Sequence, residues 1–302
     1  MTIREAIAQG SADLKFAEIE NPGLDAALLL SHILKVNRTI LYAKGPEKIN
    51  EKDSSLFCSF IERRCNGECA AYITGIKEFR GLDFFVNPSV LVPRPDTETL
   101  VEATLKILSE ERHAKSQGKE NPCAKVLDLC TGSGAIAVSL KNEMPEPEIH
   151  AADISSEALE TAKLNAEKLL GKNKIYFYHG DLFNALSSSK SSLRNYYSLI
   201  ISNPPYIPSE EIKTLPDEVQ NEPLIALDGG ESGLEIIKQI INEAPDYLRQ
   251  GGVLLLEADP MQMENIKFLL EKRGFQDLKL YKDLSGKNRV IGGKVKTTEA
   301  FS

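Results

Sequence analysis

Asn203-Pro204-Pro205-Tyr206 closes the apolar run Tyr197-Ser198-Leu199-Ile200-Ile201-Ser202, and together these residue types can act on a planar nitrogen. The run reads as a buried strand, and two prolines end it, because proline cannot donate to a sheet ladder. Proline also fixes φ and leaves its own carbonyl free, so the corner is rigid and rich in acceptors. The Asn203 side-chain oxygen and the Pro204 carbonyl suit the two N–H groups of an amide or exocyclic amine, and the Tyr206 ring suits its face. Such a nitrogen is a poor nucleophile because its lone pair is delocalised into the adjoining π-system. Holding both N–H bonds favours a more tetrahedral nitrogen and aims it. Asn and Pro are also ordinary turn residues, and a strand followed by a turn would by itself explain Asn-Pro-Pro. Tyr206, and a glycine-rich loop upstream, favour the chemical reading.

That loop is Cys130-Thr131-Gly132-Ser133-Gly134, between the strand Lys125 to Leu129, which carries Asp128, and a helix from Ala135 to Lys141. Gly132-x-Gly134-x-x-Ala137 matches a dinucleotide fingerprint on paper, with Asp153 near the place of its acidic residue. The match is weak alone, and an acidic group beside the loop opposes a pyrophosphate while suiting a cofactor with a positive sulfonium and an ammonium. Asp153, at the end of the next strand with Ile154 after it, can accept both hydroxyls of a ribose. Asp181-Leu182, after a third strand at Ile175 to Tyr178, can bracket an adenine by its amine and one face. These features favour S-adenosylmethionine over NAD.

The elements that must position these groups follow in order. Residues 1–74 read as short helices: a weak one through Ile3, Ile7 and Leu14, one after Asn21-Pro22-Gly23, and one after Asp53-Ser54 that Asn66-Gly67 stops. Residues 75–120 read as a hairpin linker and a helix. Ala71 to Gly75, Glu78 to Gly81 and Leu82 to Val86 are expected as extended pieces broken by glycine turns. Pro93-Arg94-Pro95 brackets one arginine and restricts its backbone, and Asp96 or Thr97 is expected to cap a helix through Leu108. Ser109 to Asn121 is polar and is expected to be a solvated helix end and loop. Residues 121–302 alternate strand and helix, which predicts an α/β Rossmann-like domain, mostly parallel, with ligands at the carboxyl ends of the strands. Pro208 to Gly233 is expected as a long loop facing the substrate. A fifth strand at Val253 to Glu257, a helix at Ile266 to Lys272 and a closing antiparallel pair complete the pattern. The tail from Lys294 is expected to fray.

The 302 residues include 44 acidic against 36 basic, a formal charge of −8, which argues against a broad basic surface for duplex nucleic acid. Five cysteines at irregular spacing, Cys58, Cys65, Cys69, Cys123 and Cys130, predict reduced thiols in a cytoplasmic protein and no zinc site. The apolar bursts are too short to span a bilayer, and the N-terminus lacks a signal-peptide pattern.

Asp128 to Ala137, Asp153-Ile154, Asn203 to Tyr206 and Pro93 to Glu98 together resemble the PrmC/HemK family, the bacterial glutamine N5-methyltransferases of peptide chain release factors. The resemblance extends to Tyr72-Ile73-x-Gly75, Ala226-Leu227-x-Gly229-Gly230 and Asp283-Leu284-x-Gly286-x-x-Arg289-Val290, and so covers nearly the whole chain. It implies S-adenosylmethionine as methyl donor and the glutamine of the Gly-Gly-Gln loop of class 1 release factors as acceptor. It also implies that Asn203, Pro204, Pro205 and Tyr206 hold the glutamine, with Arg94 beside them. The helical domain is near neutral in charge and reads equally as a module that docks the protein substrate or as a stabilising appendage. A sister family acting on a ribosomal-protein glutamine shares Asn-Pro-Pro-Tyr, but has Ser-Pro-Ile where Pro95 to Glu98 stand here. A methyltransferase of DNA or RNA bases would share the motif and add a basic recognition domain, and a noncatalytic binding module would have lost the cofactor positions. The chain departs from the family at Cys130, usually glycine, and at Cys69, usually proline.

Overall fold

The computed structural model describes residues 1–116, 124–172, 174–189 and 193–296. Two compact units emerge, residues 1–76 with 215–221, and residues 77–214 with 222–302.

The first unit is helical. Helix α1 (Ile3–Phe16) is firmer than its sparse apolar pattern suggests, because Thr2 and Glu5 form a capping box at 3.2 and 2.8 Å. Helices α2 (Pro22–Leu34), α3 (Arg38–Ala43) and α4 (Glu51–Cys65) follow. Asn50, not Asp53 or Ser54, caps α4 by accepting from the Asp53 N–H. Leu14, Leu30, Leu41, Phe57 and Ile61 form part of the unit's own core. Gly10 lets α1 approach α4: a Cβ there would stand 2.8 Å from the Phe57 ring. The expected extended piece at Ala71 to Gly75 is instead helix α5 (Ala70–Thr74), which Gly75 ends at φ 69°. The Thr74 hydroxyl donates back to the Ala70 carbonyl, and Ala71, Tyr72 and Ile73 are buried. Burial on a helical surface overrides the strand preference of Tyr, Ile and Thr. Residues 215–221 belong here: buried Arg64 pairs with Asp25 at 2.8 Å and with Glu218, and Asn221 Nδ2 donates to the Gly67 carbonyl at 3.0 Å.

The second unit opens with a hairpin, β1 (Ile76–Phe79) and β2 (Leu82–Phe85), turned by Arg80 and Gly81 at positive φ. A 3₁₀ turn at Pro95–Thr97 leads into α6 (Glu98–Ser116). The expected cap at Asp96 or Thr97 is not made in that form, since the Thr97 hydroxyl is engaged elsewhere. Residues 117–121 of the expected polar loop, and Cys123, lie outside the described residues. Then come β3 (Lys125–Leu129), α7 (Ala135–Glu143), β4 (Glu148–Asp153), α8 (Ser156–Leu170), β5 (Ile175–His179) and β6 (Tyr197–Ser202). The segment expected as one long loop after β6 contains a 3₁₀ turn (Ile212–Thr214) and the short helices α9 (Asp217–Gln220) and α10 (Leu224–Leu227). Helix α11 (Glu235–Tyr247), strand β7 (Leu248–Glu257), helix α12 (Met263–Arg273) and strands β8 (Phe275–Lys282) and β9 (Asn288–Val295) complete it. Lys294 lies within β9, opposite Val253, rather than in a frayed tail. Residues 297–302 lie outside the described residues.

The seven-stranded sheet runs β5-β4-β3-β6-β7-β9-β8, parallel from β5 to β7, with β9 antiparallel to both its neighbours. Alternate strand residues feed opposite faces, as the period of two requires. Val126, Ile149, Leu199 and Leu255 meet α6, α7 and α8, while Leu127, Leu129, Ile200 and Leu256 meet α11 and α12. Burying each such side chain contributes about 1.5–3 kcal/mol. The strand order reverses between β3, which neighbours β4, and β6, so a crevice forms beyond the carboxyl ends of these strands.

Candidate active site

The loop after β3 folds by alternation of backbone hands. Cys130, Gly132 and Gly134 take φ of 59°, 55° and 79°, so a non-glycine residue holds a left-handed conformation at the first of them. Neighbours brace the turn. The Thr131 N–H donates to the Ala152 carbonyl at 3.1 Å, and the Gly134 N–H to the Thr131 carbonyl at 2.9 Å. Asp128 is fully buried beneath the loop and accepts from the Thr131 hydroxyl at 2.6 Å. Burial pushes its carboxyl up to about 7, against the pull of Thr131 and the Ala137 backbone. Burial, reinforced by Asp153, also pushes the Cys130 thiol above its ordinary range, which favours its uncharged form.

Asp153 ends β4 and uses both oxygens: Oδ2 accepts from the Gly132 N–H at 2.8 Å and Oδ1 from the Ser155 N–H at 2.9 Å. Each oxygen keeps a second lone pair for a ligand hydroxyl. Burial raises the Asp153 pKa, while those backbone donors oppose the rise. At the end of β5, Gly180 donates to the Asp153 carbonyl at 3.0 Å, which sets exposed Asp181 and buried Leu182 beside the same crevice.

A cavity of about 540 Å³ occupies this crevice. Cys130, Thr131, Gly132, Ser133, Asp153, Ile154, Asp181, Leu182, Asn203, Pro205 and Arg94 all line it, so the structure gathers these predicted residues from five separate stretches of chain. Asp128 and Gly134 stand behind the wall instead, the first bracing Thr131 and the second packed against Ala162. Pro204 is buried, and Tyr206 packs against the core cluster on the α11 and α12 side of the sheet. The Tyr206 carbonyl accepts from Gln262 Nε2 at 2.9 Å. Gly229 passes so close that a Cβ would lie 2.8 Å from the Tyr206 Cα, which accounts for glycine there.

Four supporting residues escaped the sequence reading. Thr97 and Glu257 are both buried: the Thr97 hydroxyl donates to Glu257 Oε1 at 3.2 Å and accepts from Asn203 Nδ2 at 3.1 Å. Burial pushes Glu257 up to about 8, with Thr97 and Arg289 pulling the other way. Buried Glu222 pairs with Arg94 and accepts from the Val92 N–H at 3.0 Å, fixing the bracketed arginine. Buried Asn165 joins β2 to the loop: it pairs with both backbone groups of Phe85 and donates to the Ser133 carbonyl at 2.9 Å. A buried polar side chain must be partnered, so Thr, Glu and Asn inside apolar runs are the available signal, but it does not name the partner.

The donor set fits a cationic sulfonium nucleoside better than a dinucleotide. Asp153, Asp181 and Asp228 line the cavity, and its one cationic side chain among the described residues, Arg94, is already paired with Glu222. Among the described residues no cluster of three His, Cys, Asp or Glu side chains could hold a metal, and no helix is long and apolar enough to cross a membrane.

Residues 5–75 match the PrmC N-terminal domain, and residues 117–218 the methyltransferase small domain. Proteins named release factor glutamine methyltransferase are similar over nearly full length. That of Geobacter sulfurreducens is 36% identical over 295 residues, 97% of each chain. That of Coxiella burnetii is 38% identical over 291 residues, 96% of this chain and 98% of its own. That of Escherichia coli K12 is 36% identical over 292 residues, 97% of each. Among solved structures, a methyltransferase of Pyrococcus furiosus shares the fold with a TM-score of 0.50 at 19% identity, over 73% of this chain and 92% of its own. The hMettl16 catalytic domain does so with a TM-score of 0.55 at 15% identity, over 85% of each chain. The conjunction of both domains with near full-length similarity means that the chain belongs to the release factor glutamine methyltransferase family.

Proposed function

We propose that this chain is a cytoplasmic enzyme that methylates the N5 side-chain nitrogen of the glutamine in the Gly-Gly-Gln loop of class 1 release factors, using S-adenosylmethionine. The observation that carries this reading is a single cavity lined both by the loop with Asp153 and by Asn203 of the Pro-Pro motif. When bound, S-adenosylmethionine supplies an electrophilic methyl group. Cys130, Thr131, Gly132 and Ser133, with Asp153, Ile154, Asp181 and Leu182, would hold it, Asp153 on the ribose and Asp181-Leu182 on the adenine. Asp128 and Gly134 support that loop from behind.

On the acceptor side, the Asn203 side-chain oxygen and the Pro204 carbonyl take the two N–H bonds of the glutamine amide. Pro205 keeps that corner rigid, Tyr206 packs beside the amide plane, and Arg94 borders the approach. The nitrogen would form a bond to the methyl carbon as that carbon's bond to sulfur breaks, the electron pair staying on sulfur to leave S-adenosylhomocysteine, and one N–H proton departs during or after attack. No strong base is required, because the amide becomes acidic as the bond forms. Orientation and exclusion of water supply most of the acceleration. The helical first unit is assigned to docking the protein substrate. No stable complex with nucleic acid or membrane is expected of a chain with a net charge of −8.

Mass spectrometry of a release factor incubated with the enzyme and S-adenosylmethionine, with mapping of the Gly-Gly-Gln peptide, tests this directly. One added methyl on that glutamine is expected. An unmodified peptide, with cofactor binding verified separately, would overturn the substrate assignment.

A further inference from the structure

The reaction above needs Asn203 to present an acceptor, yet a primary amide can turn either its oxygen or its NH2 toward a ligand. Turned the wrong way, it would set two donors against the NH2 of the glutamine. Something must decide the orientation before substrate arrives. Two buried residues outside the Pro-Pro motif are arranged to do so.

We propose that Thr97 and Glu257 are positioning residues that fix the Asn203 amide with its oxygen facing the acceptor, an inference that rests on the glutamine reading. The hydroxyl of Thr97 carries one hydrogen, and it is donated to Glu257 Oε1 at 3.2 Å. Its oxygen is then left to accept, and the group of Asn203 that meets it at 3.1 Å must be the NH2. Oδ1 is thereby committed to the other side, and both Thr97 and Asn203 line the cavity. The chain of donors has a single direction, from amide to hydroxyl to carboxyl.

Glu257 serves here as an acceptor rather than as a charge. It is 1% exposed, and its other oxygen, Oε2, has no hydrogen-bond partner among the described residues. The nearby cation, Arg289 on β9, forms its ion pairs with Asp96 at 3.0 Å and Asp283 at 3.4 Å instead. A buried carboxyl so placed favours its neutral form, in keeping with its raised pKa; with Oε1 engaged by Thr97, the proton belongs on the unpartnered Oε2, and Oε1 remains an acceptor. A glutamine would offer the same acceptor, and a leucine none.

The test uses four variants of the full chain: Thr97→Val, Thr97→Ser, Glu257→Leu and Glu257→Gln. Each is measured for turnover of a purified release factor, S-adenosylmethionine affinity by calorimetry, and melting temperature. Thr97→Val and Glu257→Leu are expected to lower kcat on the order of 10-fold to 10²-fold. Cofactor affinity should stay within roughly twofold, as it must when only acceptor alignment is lost. Thr97→Ser and Glu257→Gln should recover turnover to within roughly threefold of the parent, because each restores the donor direction. Full turnover in Thr97→Val would overturn the proposal. So would Glu257→Gln as inactive as Glu257→Leu, which would mean that a charge or base is needed. Equal damage in Thr97→Ser and Thr97→Val, accompanied by a lower melting temperature, would assign Thr97 to packing and also overturn it. If Glu257→Leu does not fold, the Thr97 pair and Glu257→Gln decide. A parent enzyme that leaves the release factor unmodified would refute the glutamine reading itself, whereas a working parent with unaffected variants refutes only this inference.

Discussion

The two halves of the cavity, one proposed for the cofactor and one for the acceptor amide, are held in different ways. On the cofactor side, support comes mostly from nearby in the chain: Asp128 braces Thr131 three residues on, and Asp153 reaches back 21 residues to the Gly132 N–H. On the acceptor side, Asn203 is held by Thr97, 106 residues earlier in the chain, and Thr97 is held in turn by Glu257, 160 residues after Thr97. A turn whose donors and acceptors are local forms whenever its strand and helix form. An amide held by two distant elements is aligned only when β6, β7 and the turn before α6 have docked together. Cofactor binding should therefore survive perturbations that end catalysis.

Three substitutions and one change of condition test that contrast. Asn203→Ala should have the largest effect, lowering turnover on the order of 10²–10³-fold, as loss of a reaction-aligning contact does. Calorimetry should find its cofactor affinity nearly unchanged, and joint loss of both would erase the distinction between the halves. Asp153→Ala should show the reverse. Removing a charged acceptor costs about 1.5–3 kcal/mol, which weakens S-adenosylmethionine binding by roughly 10-fold to 10²-fold. The same change frees the Gly132 and Ser155 N–H groups, so equilibrium dialysis and thermal melting should both register it.

The third concerns pH. Glu257 and Asp128 are raised by burial to about 8 and about 7. The folded chain therefore keeps protons that the unfolded chain releases at about pH 4. The stability they contribute is full below that point and is lost as pH rises toward their folded values. Denaturant midpoints should fall across this window, and Glu257→Gln should flatten the part belonging to Glu257. An unchanged slope in that variant would show that its carboxyl is not held protonated. The smallest effect is expected of Cys130→Gly. Left-handed strain of about 1–2 kcal/mol is relieved, but the greater freedom of unfolded glycine offsets about 0.5–1 kcal/mol. A melting temperature within a few degrees of the parent, with unchanged cofactor affinity, is the expected result; loss of binding would give the thiol a role beyond filling space.

What could be read from the sequence follows the same division. Spacing alone pointed to the loop after Asp128, to Asp153 and to the strand that ends at Asn203, because each reports a local turn or strand end. The departure at Cys130 could be named in advance, since a non-glycine residue stood where a glycine is usual. Thr97 looked like a helix cap and Glu257 like the last residue of a strand, because nothing local reveals which buried polar group will meet which. Ala70 to Thr74 was misread for the opposite reason: its strand-favouring residues are outweighed by burial in a helical bundle. The polar stretch after Tyr206 hid two short helices and a segment that belongs with the first unit.

That last segment bears on how the molecule can be dissected. The chain leaves the first unit after Ile76, returns to it after Thr214 and departs again after Asn221. A fragment cut at residue 76 would keep Arg64 and Gly67 but lose Glu218 and Asn221, their partners from the later segment. The N-terminal helices are therefore not a detachable module in the sense of a bead on a string. Modularity suggested by a contiguous stretch of sequence is withheld by seven residues contributed from the far side of the chain. A transplant of the helical unit onto another scaffold would have to carry those residues with it.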